Sequence, residues 1–338
     1  MSYSDLRAQV QGMGLLFRSG WNSLPLAIGV VALGALGIAA VVFVPGAWRF
    51  AAAPVLALFW MQLGFFGHDA GHNQVFPRTE HNRRLGLLCM PLLLGMSFRP
   101  WVIKHNLHHA VTNVIESDPD IDHPLLAFTE DAARSRRGIA RWIVRYQAYA
   151  YPVLALFATV GFRIDAWRYA VGALPAARND KYDGERRVEL GLLAVNLILW
   201  LVIPSILLGP VRWLPVFAVG QMLLGFNMAF VFAPNHKGMP MLVDSSHLTF
   251  LEQQVMTSRN VFGGRLVDFA YGGLNYQIEH HLFPTMPRRN LPACREVVRS
   301  FCQETGLAYT EESVIGACRA LFTSLDEIGQ LVFQPVPA

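Results

Sequence analysis

Residues 24–45 contain no charged side chain, and at about 1.5 Å per helical residue the run is long enough to cross roughly 30 Å of hydrocarbon. A second apolar run, 51–67, has Gln62 as its one strongly polar interruption and ends directly on His68. Two more, 190–208 and 214–233, are separated by a turn holding Gly209, Pro210 and Arg212. Charged residues make up 15% of the chain, against about 25% in ordinary globular proteins, and their scarcity is concentrated in these runs. The expected fold is an all-α integral membrane protein: four transmembrane helices in two hairpins, with a helical cap from 68–189 and 234–338, in one domain spanning 1–338.

The basic residues give that topology a direction. Of 28 Lys and Arg, only Arg49 and Arg212 fall in the two hairpin turns. By the positive-inside rule the termini, the middle segment and the cap are expected on the cytoplasmic side, in what reads as a bacterial cell membrane. Two shorter apolar pieces, 85–98 and 149–162, have the length of re-entrant or interfacial segments. The basic stretch 131–145 suits a helix lying on the lipid surface. The net charge of +4 fits basic residues facing anionic headgroups, and no basic stripe with interleaved aromatics points to nucleic acid. Residues 1–23 lack the pattern of a cleavable signal. Cys89, Cys294, Cys302 and Cys318 have neither zinc-ribbon spacing nor disulfide density and are expected to be reduced.

Eight of the eleven histidines are arranged in a way that composition hardly explains. His68 and His72 stand at i and i+4, on one helical face. His105, His108 and His109 stand at i, i+3 and i+4, a spacing that random placement would produce roughly once in a hundred such chains. Gln277, Ile278, Glu279, His280 and His281 repeat that frame with glutamine in the first position. The bland alternative, a buried polar patch, would leave several imidazoles seeking partners where little water is available. His236 follows the fourth apolar run as His68 follows the second, which makes it a plausible eighth ligand. His81, His123 and His247 have no partner at ligand spacing and are expected at the surface or outside the ligand shell. Eight imidazoles exceed the three protein ligands of a catalytic zinc and suit two metal ions with open positions. Imidazole accepts Zn, Cu, Fe and Ni, so the count alone does not select the metal. Gln277 reads either as a weak oxygen ligand, as a hydrogen-bond partner of metal-bound water, or as solvent-facing. Asn113, Asp118, Asp120 and Glu279 lie near the clusters and are candidates for outer partners of the ligands.

The segments HDAGH at 68–72, HNLHH at 105–109 and QIEHH at 277–281 resemble the three histidine boxes of membrane fatty acid desaturases. The glutamine of the third box resembles the front-end, linoleoyl-CoA desaturase-like branch. TNVIESDPDID after the second box, FAPNHKG around His236 and GGLNYQIEHHLFP around the third are similar too. The resemblance runs over most of the chain from about Phe66 to Pro292. It implies two irons, dioxygen and a long acyl substrate carried on coenzyme A, carrier protein or lipid, bound in a tunnel. By position it makes His68, His72, His105, His108, His109, His236, His280 and His281 the iron ligands and Gln277 an outer-sphere residue. The His-Pro-Gly-Gly motif of the haem domain fused to many front-end enzymes does not occur, so electrons are expected from a separate ferredoxin or small cytochrome. The nearest alternatives are a histidine-box hydroxylase, acetylenase or carotenoid-modifying oxygenase. A metal transporter would instead place its ionisable residues along the spans.

Overall fold

The computed structural model describes residues 2–174 and 183–334. The stretches 175–182 and 335–338, which the expected domain and cap include, lie outside the described residues. The helices are α1 (Tyr3–Gly12), α2 (Leu24–Phe43), α3 (Ala52–Gly71), α4 (Thr79–Leu87), α5 (Arg99–Ala110), α6 (Glu130–Ser135), α7 (Gly138–Arg145), α8 (Gln147–Ala155) and α9 (Ala158–Ala170). They continue with α10 (Asp183–Leu197), α11 (Ile203–Leu208), α12 (Pro210–Phe232), α13 (Phe250–Thr257), α14 (Arg265–Ala270), α15 (Gln277–Leu282), α16 (Leu291–Thr305) and α17 (Val314–Gln330). Among the described residues the strands are β1 (Asn260–Phe262) and β2 (Glu311–Ser313), paired in parallel with Asn260 opposite Glu311. The chain divides into two compact units: Arg18–Ile103 with Ala155–Ala229, and a second built from the N-terminal stretch to Phe17, Lys104–Leu154 and the chain from Phe230 onward.

The first unit holds most of the apolar length. Among the described residues four helical stretches are long and apolar enough to cross a membrane: Gly20–Phe43, Gly46–Gly71, Asp183–Leu208 and Pro210–Asn235. Among the described residues the third is helical from Asp183, ahead of the 190 that hydropathy suggests. An apolar run ends at its first charge, whereas backbone hydrogen bonding continues through Glu185, Arg186 and Glu189. The fourth starts at Pro210, whose fixed φ and missing N–H suit a first helical position.

Small residues let these helices approach. Gly34 and Gly37 of α2 leave room for Phe59 and Leu56 of α3, which a Cβ at either glycine would meet at under 3.0 Å. Trp60 of α3 packs edge-on against Trp200 and Phe217, at ring distances of 5.2 and 5.5 Å. At one end, Arg212 donates to the carbonyl of Val42, tying the first turn of α12 to the last turn of α2. The apolar piece 85–98 is a broken segment: α4 runs into a π turn at Leu88–Leu94 containing Pro91, and the chain then bends by 113° into α5.

The second unit has its own core. Leu6 and Val10 of α1 are fully buried with Val255 of α13, Ile278 of α15 and Val298 of α16. The Tyr3 hydroxyl donates to the carbonyl of Leu282 at 2.6 Å, so the N-terminal helix braces α15. The basic stretch 131–145 forms two helices, α6 and α7, with Val144 buried and Ile139 and Trp142 exposed. The piece 149–162 likewise splits into α8 and α9.

Gly225 of α12 is the tightest of these approaches to fixed backbone. A Cβ there would stand 2.6 Å from the Ala155 carbonyl oxygen and 3.3 Å from the Ala158 nitrogen. Backbone cannot swing aside as a side chain can. Gly225→Ala is therefore expected to cost about 1–3 kcal/mol and to lower the Tm of the detergent-solubilised protein by about 2–8 °C. An unchanged Tm in differential scanning fluorimetry would contradict this packing.

Candidate metal centre

Six of the eight clustered histidines meet in the second unit. α5 brings His105, His108 and His109 to one face, α15 carries His280 and His281, and His236 follows the 3-10 turn Ala233–Asn235. One ligand nitrogen from each of His108, His236 and His281 lies within 4.8 Å of the others. The His109 ring stacks on His281 with centroids 4.1 Å apart and meets His280 at 4.7 Å. The Nε2 atoms of His105 and His109 are 3.2 Å apart.

Each ring of the closest trio has its Nδ1 engaged outward. His108 Nδ1–H donates to the Asp118 carboxylate, 3.0 Å from both oxygens. His236 Nδ1–H donates to the Thr257 carbonyl at 3.1 Å, and His281 Nδ1–H to Gln254 Oε1 at 2.8 Å. With the hydrogen held on Nδ1, the lone pair of each neutral ring is on Nε2. Those lone pairs converge: the Nε2 atoms of His108 and His236 are 3.4 Å apart, and His281 Nε2 is buried with no hydrogen-bond partner among the described residues. Gln277 offers an N–H to His236 Nε2 from 2.8 Å, but the lone pairs of His108 and His281 still stand buried beside it, and a set of neutral nitrogen donors so placed fits a metal ion.

Two of these rings are kept neutral. Burial, followed by repulsion from His108, pushes His236 down to about 3. Burial, followed by the neighbouring His236 and His108, holds His281 well below the usual histidine range. Burial works against ionised Asp118, but its bonds to His108 and to the amides of Asp120 and Asn113 prevail, and its pKa is lowered. A carboxylate–histidine pair of this kind fixes the tautomer and raises the basicity of the inward nitrogen.

In the first unit His68 is buried in the last turn of α3 and His72 caps that helix, with ring centroids 4.8 Å apart. Trp101 packs edge-on against both, at 5.6 and 6.5 Å.

Residues 45–313 match the family model described as fatty acid desaturase. The chain belongs to the fatty acid desaturase family. It is 35% identical over 83% of its length to an acyl-lipid (9-3)-desaturase of Physcomitrium patens, covering 53% of that protein. It is 34% identical to a delta(8)-fatty-acid desaturase of Euglena gracilis, over 77% of the chain and 63% of the relative. Identity is also 34% to the delta(6)-fatty-acid desaturase fat-3 of Caenorhabditis elegans, over 78% of the chain and 60% of the relative. The chain therefore spans between about half and two thirds of the length of these relatives.

The remaining residues singled out in the sequence take different places. Asn113, at φ 55°, donates from its amide to the carbonyls of His236 and Pro240 and so holds the His236 turn against the end of α5. Asp120 pairs with Lys104 at 2.9 Å and stands 3.6 Å from His108 Nδ1. Glu279 faces away from the rings. Its carboxylate accepts from Asn260 Nδ2 at 2.8 Å and from the Tyr309 hydroxyl at 2.7 Å, anchoring α15 to β1, and burial raises its pKa to about 7. Gln277 is buried: its Oε1 accepts from Asn235, and its amide nitrogen is 2.8 Å from His236 Nε2. Its solvent-facing alternative fails. His81 and His247 are exposed, and His123 accepts the amides of Leu125 and Leu126 as a turn cap.

Sequence reasoning missed α13. That one helix supplies both Gln254 and the Thr257 carbonyl, the outward partners of His281 and His236, and Gln254 also donates to the His109 carbonyl at 3.1 Å. The available signal was the capping box Thr249–Glu252, which marks a helix start just before two adjacent glutamines.

Asp118→Asn keeps the size of the side chain but takes away the charge, and its amide can turn a donor toward His108. Metal retained per chain under chelator challenge is expected to fall about 10–100-fold. Retention equal to wild type would remove Asp118 from the ligand support. For Gln277→Ala the expectation is different. Because its amide rests on His236 Nε2 without supplying a histidine donor, metal content should stay within about twofold of wild type while turnover falls. Unimpaired turnover would return Gln277 to a packing role.

Proposed function

We propose that this protein is an O2-dependent acyl desaturase whose eight clustered histidines hold two iron ions. The observation that carries the reading is the trio of inward Nε2 atoms, each with its Nδ1 committed to an outward acceptor, in a chain of the fatty acid desaturase family. The overall conversion is R–CH2–CH2–R + O2 + 2 e⁻ + 2 H⁺ → R–CH=CH–R + 2 H2O. No amino-acid side chain can take hydrogen from an unactivated methylene, and two bound irons would supply that oxidising chemistry. The nitrogen-rich, sulfur-free donor set accepts iron, although imidazole as such does not select it.

The protein's own part is orientation. His68, His72, His105, His108, His109, His236, His280 and His281 are the assigned ligands. Asp118, Gln254 and the Thr257 carbonyl keep their hydrogens on the outer nitrogens. Gln277, held by Asn235, stands where it can hydrogen-bond a small molecule at the centre. The substrate is a long acyl chain on coenzyme A, carrier protein or lipid; the named relatives favour a double bond placed toward the carboxyl end. Two electrons come from a redox protein of ferredoxin or small-cytochrome type that docks on the basic cytoplasmic face. In the membrane the four spans form two hairpins with both termini inside. The bacterial setting rests on the sequence reading alone, since the named relatives are eukaryotic.

Expression in a host lacking such an enzyme, followed by gas chromatography and mass spectrometry of its lipids, tests the reaction. The expected product is lighter than its precursor by two hydrogens. A product heavier by one oxygen would make the protein a hydroxylase. Topology is tested by labelling single cysteines: Arg49→Cys and Arg212→Cys should react with an impermeant reagent from outside, whereas a cysteine at Arg136 should not. Labelling of the Arg136 position from outside would overturn the two-hairpin orientation.

A further inference from the structure

The break that precedes α5 exposes a set of backbone groups with no intrahelical partner. Carbonyls end the π turn Leu88–Leu94, and amides begin the next helix. In hydrocarbon such groups are costly unless protein satisfies them. Here side chains do. The Leu92 carbonyl accepts from Asn196 Nδ2 at 2.9 Å, the Leu93 carbonyl from Trp200 Nε1 at 2.8 Å, and the Leu94 carbonyl from an Arg163 Nη at 2.9 Å. On the other side of the break, the Glu189 carboxylate accepts the amides of Phe98 at 3.2 Å and Arg99 at 2.8 Å. Pro100 has no amide to satisfy.

Glu189, Asn196 and Trp200 follow one another at i, i+7 and i+11 along the third span, so they share a helical face. Glu189 is fully buried within a stretch long and apolar enough to cross the membrane. A buried carboxylate at such a place is expensive and calls for a reason. A second observation supports a tight fit. Gly95 in the break has φ 77°, and a Cβ on it would meet Asn196 Oδ1 at 2.6 Å and Arg163 Nε at 3.0 Å. The side chains close on a turn that has no room for any other residue.

The geometry points to Glu189 as a positioning residue for the metal centre. Its charge sits at the positive end of the α5 dipole and accepts two amides, which fixes where that helix starts and hence where His105, His108 and His109 are presented. Asn196 and Trp200 hold the preceding turn in the same way. The inference rests on the di-iron reading above, because it is the ligand role of those histidines that makes their placement matter.

The test uses the whole chain in detergent, comparing wild type with Glu189→Gln, Trp200→Phe and, as a control far from the break in sequence, Glu304→Gln at an exposed position of α16. The readouts are iron per folded chain under chelator challenge and the visible spectrum after cobalt(II) substitution. Glu189→Gln keeps the shape but turns a donor toward two donors. It is expected to lose iron at about tenfold lower chelator concentration and to shift the cobalt bands. Trp200→Phe, which withdraws the donor to Leu93 and trims the ring that Trp60 packs against, should do the same to a smaller extent and carries the test if Glu189→Gln does not accumulate. Glu304→Gln should match wild type. Folded variants with wild-type retention and spectrum, or metal lost only in proportion to unfolded chain, overturn the inference while leaving the di-iron reading intact. A wild-type chain that binds neither iron nor cobalt overturns both.

Discussion

A cluster of imidazoles shut away from water is tolerable only if every ring has somewhere to put its hydrogen. In the second unit that place is outward. Asp118, the Thr257 carbonyl and Gln254 each take an Nδ1–H, and the three Nε2 atoms are left facing one another. Much of the local structure serves that arrangement. α13 exists as two turns of helix under a capping box, with Gln254 and Thr257 at the positions that reach box three and His236. Asn113 takes a left-handed backbone, which asparagine tolerates better than most residues, and binds the His236 turn to the end of α5. Buried Glu279 ties α15 to Asn260 and Tyr309, so the third box is held from behind. Burial depresses the pKa of His236 and His281, and the neutral ring is the form in which histidine binds a metal.

The membrane imposes the complementary constraint. A helix may break within hydrocarbon only where protein re-satisfies the freed groups. The four polar side chains around Leu92–Arg99 meet that demand, and the α5 helix issues directly from the break. Scarce polar residues within the apolar length are thus spent on the backbone, and the aromatic contacts among Trp60, Trp200 and Phe217 supply packing around them.

The parts of this molecule legible in the sequence are those whose signal is local. Charge-free runs mark spans, and three histidines at i, i+3 and i+4 mark a shared face whatever lies elsewhere in the chain. Helix ends are less legible, because helical hydrogen bonding outlasts the hydropathy, as at Asp183 and Pro210. The broken segment at 85–98 was readable as too short for a span, but its π turn and bend depend on Glu189 and Asn196, about a hundred residues away. Partners of the ligands were hardest. Asp118 was within reach because it follows box two closely, whereas Gln254 and the Thr257 carbonyl come from a segment with no histidine at all, and a backbone carbonyl has no sequence signature. Glu279 looked like an outer partner by adjacency, yet its position on the short α15 turns it toward Asn260 and Tyr309.

The central claim is that the clustered histidines are metal ligands rather than a buried polar patch. X-ray absorption at the iron edge of the purified, iron-loaded protein tests it most directly. Eight imidazoles shared by two irons predict a first shell dominated by nitrogen, with the outer-ring scattering of about four imidazoles per iron. A first shell of sulfur or mainly carboxylate oxygen, with one imidazole or none per iron, would contradict the account.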